Sequence, residues 1–281
     1  MENHLKMNEK IKQRKLWDVQ LDILEIVNQI CRDNNLHYSL YAGTLLGAVR
    51  HQGFIPWDDD LDVCMPRDDY EKFLKIWKDN EHPGYVLQNK RITPSFTQSF
   101  SKIRKDHTTF LQYEWEKGRY HTGIFVDIFP IDRCPASSLK QKAFQWRCIR
   151  YLLYTREFIP PKASMLTKAF SKMFLILVSP NKRKEYRERF EKVLNKTFTD
   201  NELPIVAIET INTIKEIYPN NLLDEYIYLP FEGKKYPCIA KWDEYLNLEY
   251  GDYMKYPPEE ERTWKHNGLI IDFDHNYGEE S

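Results

Sequence analysis

Between Leu16 and Cys31 the apolar residues Leu16, Val19, Ile23, Ile26, Val27 and Ile30 return at three-to-four spacing, which predicts an amphipathic helix. The polar run Arg32-Asp33-Asn34-Asn35 ends it. Leu36 to Tyr41 alternates briefly, as a strand does, and Gly43 to Arg50 reads as a glycine turn leading into a short helix that Gly53 and Pro56 break. From Asp60 to Met65 charged and apolar residues alternate, the pattern of a half-buried strand. Pro66, Asp68 and Asp69 then open a helix through Tyr70, Phe73, Leu74 and Trp77. Phe100 to Arg104 and Ile124 to Phe129 are further strands. Beyond Cys134 the spacing turns helical over Lys140 to Tyr154, Met165 to Val178, Lys182 to Lys196 and Trp242 to Tyr250. The pattern predicts an α+β chain, with a strand-bearing part over 16–135 and a mostly helical part over 136–281.

Composition narrows the class. A chain of 281 residues can bury one large core, or a core with an accessory subdomain, and 42% apolar content suits a packed protein. A net charge of −1 gives no general pull towards nucleic acid. The five cysteines are scattered without a Cys-x-x-Cys pair, which reads as reduced thiols of a cytoplasmic protein and disfavours a structural zinc site. Met1 to Lys15 is polar and lacks the apolar stretch of a signal peptide. Met165 to Val178 is apolar but carries Lys168 and Lys172 and is too short to span a bilayer. Over 162–196 there are ten Lys or Arg against three Glu. That run is either a solvated helix face or a peripheral contact with an anionic membrane or a charged lipid-linked partner.

The chemistry concentrates in Ile55-Pro56-Trp57-Asp58-Asp59-Asp60-Leu61-Asp62-Val63. On a strand, Asp60 and Asp62 share a face, and Asp58 joins them if the strand reaches that far. Two carboxylates roughly 4 Å apart repel by about 4 kcal/mol at an effective dielectric of ~20, so a cation or a proton must accompany them. Oxygen ligands without His or Cys favour Mg²⁺ or Mn²⁺. A solvated acidic loop is the plainer reading. A calcium loop fits Asp58, Asp60, Asp62 and Asp69 by spacing but has Val63 where a glycine is required. Gly43-Thr44 just upstream presents a turn whose amides and hydroxyl suit a phosphate. Asp127 is the one charge in the apolar run Ile124 to Pro130, so it needs a metal or cation partner and is the candidate general base. The order of glycine turn, paired aspartates and third carboxylate resembles a nucleotidyltransferase active site of the polymerase-β kind. Arg50, Lys102 and Arg104 are candidates to neutralise phosphate, with ordinary surface cations as the alternative.

The blocks Ala42 to Arg50, Gly53 to Asp62, Lys102-Ile103-Arg104-Lys105, Phe125 to Pro130, and Tyr250 to Met254 followed by Pro257-Pro258 closely resemble the LicD family, in the family's order. The resemblance implies a nucleotidyltransferase-type mixed sheet flanked by helices, a catalytic core over 16–135 and a helical region over 136–281 that completes the donor and acceptor site. It implies Mg²⁺-dependent transfer of phosphocholine from CDP-choline to a sugar of a bacterial surface glycan, teichoic acid or lipopolysaccharide, with a lipid-linked acceptor. By motif position Asp60, Asp62 and Asp127 are the metal carboxylates, with Asp58 beside them, and Gly43 and Thr44 lie by the donor phosphates. Transfer of ribitol or glycerol phosphate, and nucleotidyl transfer proper, stay open. So does a non-catalytic glycan- or calcium-binding scaffold, against which three converging carboxylates argue. A choline site calls for aromatic rings. Trp57, Tyr113, Trp115, Tyr120 and Trp264 are available for it, with core packing as the alternative, and the His266 region either closes over the site or is structural.

Overall fold

The computed structural model describes residues 2–157, 165–197, 202–210, 217–264 and 268–279. Lys162 and His266 lie outside them. In chain order the elements are α1 (Glu2–Asp33), β1 (Ser39–Leu40), α2 (Ala42–His51), β2 (Asp62–Pro66), α3 (Arg67–Asp79), β3 (Tyr85–Gln88), β4 (Ser101–Lys105), β5 (Thr109–Leu111) and β6 (Phe125–Arg133). There follow α4 (Ser138–Arg156), α5 (Met165–Leu177), α6 (Pro180–Thr197), β7 (Ile205–Ala207), β8 (Ile217–Tyr218), β9 (Tyr226–Phe231), β10 (Lys234–Ile239), α7 (Trp242–Tyr250) and β11 (Ile270–Asp272). Contacts divide the chain into two compact units, one of Met1–Gln88, Ser101–Phe129 and Leu222–Ser281, the other of Asn89–Phe100 and Pro130–Asn221. The fold is α+β, a mixed sheet flanked by helices.

In the first unit the strands run in the order β1-β2-β6-β4-β3. Antiparallel pairing sets Ser39 opposite Cys64 and Lys102 opposite Asp127. That second register matters most, because it brings a cation and a carboxylate from neighbouring central strands side by side. The predicted first helix is real and longer than its apolar stripe. Leu16, Ile23, Leu24 and Val27 are fully buried along it, and burying such side chains contributes about 1.5–3 kcal/mol each. Gln20 sits in the same stripe, also fully buried.

The acidic strand begins later than its alternation suggests. β2 starts at Asp62, and Asp58 to Leu61 form a loop before it. The reason lies in α1: Gln13, Trp17 and Gln20, spaced along one helix face, donate to the carbonyls of Pro56 (2.8 Å), Asp58 (3.0 Å) and Asp59 (3.0 Å). Carbonyls held by helix side chains are not available to a sheet ladder. The C-terminal half contains α4 to α7 as predicted, and also five short strands, β7 to β11. β9 and β10 form a hairpin whose two-residue turn, Glu232-Gly233, has φ of 49° and 79°. This is the mirror-image turn that matches strand twist.

In the second unit Ile131 to Arg133 of β6 pair with β7, and β7 with β8. Phe144, Cys148, Tyr151 and Leu152 of α4 pack with Phe190 and Leu194 of α6 and with Val206. All five cysteines are buried and free. No helix among the described residues is long and apolar enough to cross a membrane.

Candidate active site

The first unit gathers the aspartates. One carboxylate oxygen from each of Asp58, Asp59 and Asp60 falls within 4.8 Å of the others. Asp59 was not singled out by the alternation argument, since a strand would have turned it away. In the clamped loop it joins its neighbours. Asp62 lies within electrostatic reach of Asp60, Asp127 and Asp58. Burial, with those three charges added, raises its carboxyl well above the usual range, and Lys102 offsets part of the effect. Asp58 is pushed up to about 9, by burial first and then by Asp60 and Asp59. Carboxyls that are this costly to ionise together call for protons or for a cation. An oxygen-only donor set of this density fits a hard divalent ion such as Mg²⁺ or Mn²⁺.

Asp127, on β6, is 4% exposed and accepts from Lys102 Nζ with both carboxylate oxygens, at 2.7 and 2.9 Å. Its own backbone N–H donates to Leu61 O at 2.9 Å, tying β6 to the end of the acidic loop. Lys102 Nζ also lies 3.3 Å from the centre of the Phe125 ring. Arg104, two residues along β4, is fully enclosed, donating to Gln88 Oε1 and Gly123 O at 2.8 Å each. Neither residue is a surface cation.

Gly43 and Thr44 occupy the first turn of α2. Ala42, with φ of 46°, makes the sharp entry in place of a glycine. The first intrahelical bond runs from Leu45 N–H to Tyr41 O, so the amides of Ala42, Gly43 and Thr44 have no helical acceptor. Thr44 is buried, and its Oγ1 accepts from the Asp62 N–H at 2.9 Å, fastening α2 to the start of β2. A side chain at Gly43 would displace the Asp58 carboxylate: an ideal Cβ there sits 2.9 Å from Asp58 Oδ2. Tyr250 of α7 also belongs to this neighbourhood. Burial and the charges of Glu249, Asp62, Asp58 and Asp60 raise its hydroxyl above the usual range.

The proposed ring residues separate into groups. Trp57 stands with Tyr256 and His51, under the guanidinium groups of Arg50 and Arg262. Tyr113 stacks on Trp115 at 5.5 Å, and Trp115 meets Tyr120 edge-on at 6.3 Å. Trp264 packs on the core formed by Leu16, Phe110, Ile124 and Phe125.

The sequence profile of the LicD/FKTN/FKRP nucleotidyltransferase domain matches residues 35–174. The chain is similar to the lipopolysaccharide cholinephosphotransferase LicD of Haemophilus influenzae, 30% identical over 264 residues that cover 92% of this chain and 97% of that protein. Shorter likenesses reach uncharacterized proteins of Rickettsia typhi (39% over 70 residues, 25% of this chain and 23% of that one) and Rickettsia prowazekii (31% over 113 residues, 40% and 39%). With nearly the full length of one relative aligned and the family's domain matched across both the acidic loop and Asp127, this chain belongs to the LicD family.

Proposed function

We propose that the chain is a phosphotransferase that moves phosphocholine from CDP-choline to a sugar hydroxyl of a bacterial surface glycan. The observation that carries this reading is the crowding of Asp58, Asp59 and Asp60, with Asp62 and Asp127 in reach, beside the first-turn amides of α2, which have no helical acceptor. A binding module gains nothing from so many mutually repelling carboxylates. Asp58, Asp60, Asp62 and Asp127 would hold Mg²⁺ or Mn²⁺, with Asp59 close by. When bound, the metal supplies positive charge for the donor's diphosphate.

The chain's own groups account for the rest. The first-turn amides at Gly43 and Thr44 donate to a phosphate of the nucleotide, as helix N-termini do. Lys102, bonded to both oxygens of Asp127, favours that carboxyl's ionised form. Asp127 takes the proton of the acceptor hydroxyl. The hydroxyl oxygen then bonds to the choline-bearing phosphorus while the bond from that phosphorus to the CMP oxygen breaks, and CMP leaves with the electron pair. Arg104, spent on Gln88 and Gly123, shapes β4 around Lys102. The Tyr113, Trp115 and Tyr120 rings are the set we assign to the quaternary ammonium.

A lipid-linked acceptor suits α5 of the second unit, whose Phe170, Met173, Phe174 and Leu177 are all exposed on one face. No acidic residue occurs from Met165 to Lys184, whereas Lys168, Lys172, Lys182, Arg183 and Lys184 do. Such a helix fits a membrane surface carrying anionic lipid.

The test is a panel of CDP-choline, CDP-ribitol, CDP-glycerol and nucleoside triphosphates with Mg²⁺, read by thermal shift and by product. CMP release with a CDP-alcohol supports the proposal and identifies the alcohol. Pyrophosphate release from a triphosphate overturns it in favour of nucleotidyl transfer.

A further inference from the structure

Arg50, near the end of α2, and Arg262, over two hundred residues later, share one pair of aromatic rings. The Arg50 guanidinium carbon lies 4.6 Å from the centre of the Tyr256 ring and 5.9 Å from that of Trp57. For Arg262 the distances are 5.3 and 5.5 Å. The two rings are 5.9 Å apart, and His51 meets both edge-on, at 6.3 Å from Trp57 and 5.8 Å from Tyr256.

What holds the two cations is neutral. Arg50 donates to Tyr253 O and to His51 Nε2, each at 3.0 Å, and Arg262 donates to Pro257 O at 2.9 Å. Among the described residues neither forms an ion pair with a carboxylate. Aromatic faces orient a guanidinium without neutralising it. Two such groups held together therefore remain short of a counter-ion, with several N–H donors unspent. The group is also open, since the Tyr256 side of it is 45% exposed.

Its position points to the kind of anion. Arg50 lies seven residues along α2 from Gly43, about 10 Å at 1.5 Å per residue. Trp57 directly precedes Asp58 in the chain. The pair thus flanks the acidic cluster at a distance that an extended nucleoside diphosphate can bridge.

We propose that Arg50 and Arg262, oriented by Trp57 and Tyr256, form a two-arginine clamp for a phosphate of the nucleotide donor. The sequence alone nominated Arg50 for phosphate but gave no reason to pair it with Arg262. The inference deepens the transferase reading and rests on it for the donor's identity, although the anion itself can be tested separately.

Inorganic pyrophosphate, a surrogate for the diphosphate that any such donor carries, is titrated by calorimetry in EDTA so that metal does not contribute. It is applied to the wild type, Arg262→Ala and Arg262→Lys, with melting temperatures recorded alongside. The expected result is an affinity at least tenfold weaker in Arg262→Ala and an intermediate value in Arg262→Lys, at similar melting temperatures. Equal affinity in all three, no binding by the wild type, or a loss only in step with unfolding would overturn the clamp. CDP-choline turnover by the wild type is measured in parallel. Turnover with an indifferent Arg262 retires the clamp and keeps the transferase. Pyrophosphate binding that depends on Arg262, without CDP-choline turnover, does the reverse.

Discussion

Lys102 Nζ bonds both oxygens of Asp127 at 2.7 and 2.9 Å, in a part of the sheet where each side chain is almost wholly enclosed. β4 and β6 bring the two directly opposite each other, so the pair is built into strand register. Desolvation lowers the Lys102 ammonium, and Asp127 counteracts it. The pair lets a carboxylate persist inside the sheet and keeps it beside Asp62 rather than in water. A buried pair of this kind contributes little net stability over an apolar replacement, but halving it is costly.

Replacing Lys102 with Met takes the cation away from the enclosed Asp127 carboxylate. We expect a loss of about 3–5 kcal/mol in denaturant unfolding, together with loss of transfer activity. Adding Asp127→Asn to that variant should recover part of the stability and none of the activity. If Lys102→Met alone unfolds like the wild type, the pair is not carrying Asp127.

Asp62→Asn separates the site's function from its stability. Burial and the charges of Asp60, Asp127 and Asp58 make this carboxyl costly to ionise, and a neutral amide of the same shape removes that cost. In EDTA the variant should melt at or above the wild-type temperature while turnover falls at least a hundredfold. Asp60→Asn should likewise abolish transfer in a folded protein. Turnover retained by either variant would end the metal-site reading.

The same crowding gives a pH dependence of known sign. In the fold Asp58 titrates at about 9, against about 3.9 for an ordinary aspartate. Between those values the native state holds a proton that the unfolded chain has released. Metal-free stability therefore falls as pH rises through that window, by at most about 1.4 kcal/mol per unit for this group, and levels off above it. Asp62 acts in the same direction. Because a cation competes with these protons, the Mg²⁺-induced rise in melting temperature should grow from pH 6 to pH 9. Asp58→Asn should flatten the EDTA profile relative to the wild type, and identical slopes would refute the assignment.

How much of this was legible beforehand depended on the range of the interaction. The helices announced themselves through apolar spacing, and the aspartate run through composition. The loop conformation of Asp58 to Leu61 was hidden, because it is imposed by Trp17 and Gln20, roughly forty residues earlier in the chain. The one local clue was a glutamine in the apolar stripe of α1, at a position where a leucine would read more naturally. The strands β7, β8 and β11 have two or three residues each, too few for a period to register. Arg262 carried no local signal at all. It gains meaning only from the rings it shares with Arg50.

Gly43 and Gly47 make a matched pair of tests on one helix. Alanine is favoured over glycine inside a helix by about 1 kcal/mol, yet a Cβ at Gly43 meets Asp58 Oδ2 at 2.9 Å. The carboxylate can swing aside, so Gly43→Ala should fold normally and lose at least tenfold in turnover or Mg²⁺ response. At Gly47 the Cβ would meet the backbone oxygen of Gly53 at 2.5 Å, and a backbone segment cannot step aside cheaply. Gly47→Ala should therefore lower the melting temperature. The opposite ranking of the two variants would show that the close approach of α2 to Asp58 is incidental.

The exposed face of α5 supplies the last prediction. Phe170 and Phe174, at 58% and 41% exposure, sit one turn apart beside Met173 and Leu177, with Lys168 and Lys172 around the helix from them. Helix geometry puts positions i, i+3, i+4 and i+7 on a single stripe. An apolar stripe in water with only basic residues beside it gains from both terms at an anionic bilayer, burial of the rings and attraction of the lysines. The protein should sediment with vesicles containing phosphatidylglycerol and much less with phosphatidylcholine alone. Salt should weaken binding without abolishing it, because it screens only the charges. The double change Phe170→Glu and Phe174→Glu touches no buried packing, so it should leave the melting temperature and the turnover of a soluble acceptor unchanged while releasing the protein from vesicles. Equal sedimentation of the variant and the wild type would mean that α5 does not meet the membrane, and the acceptor would then have to reach the enzyme by another surface.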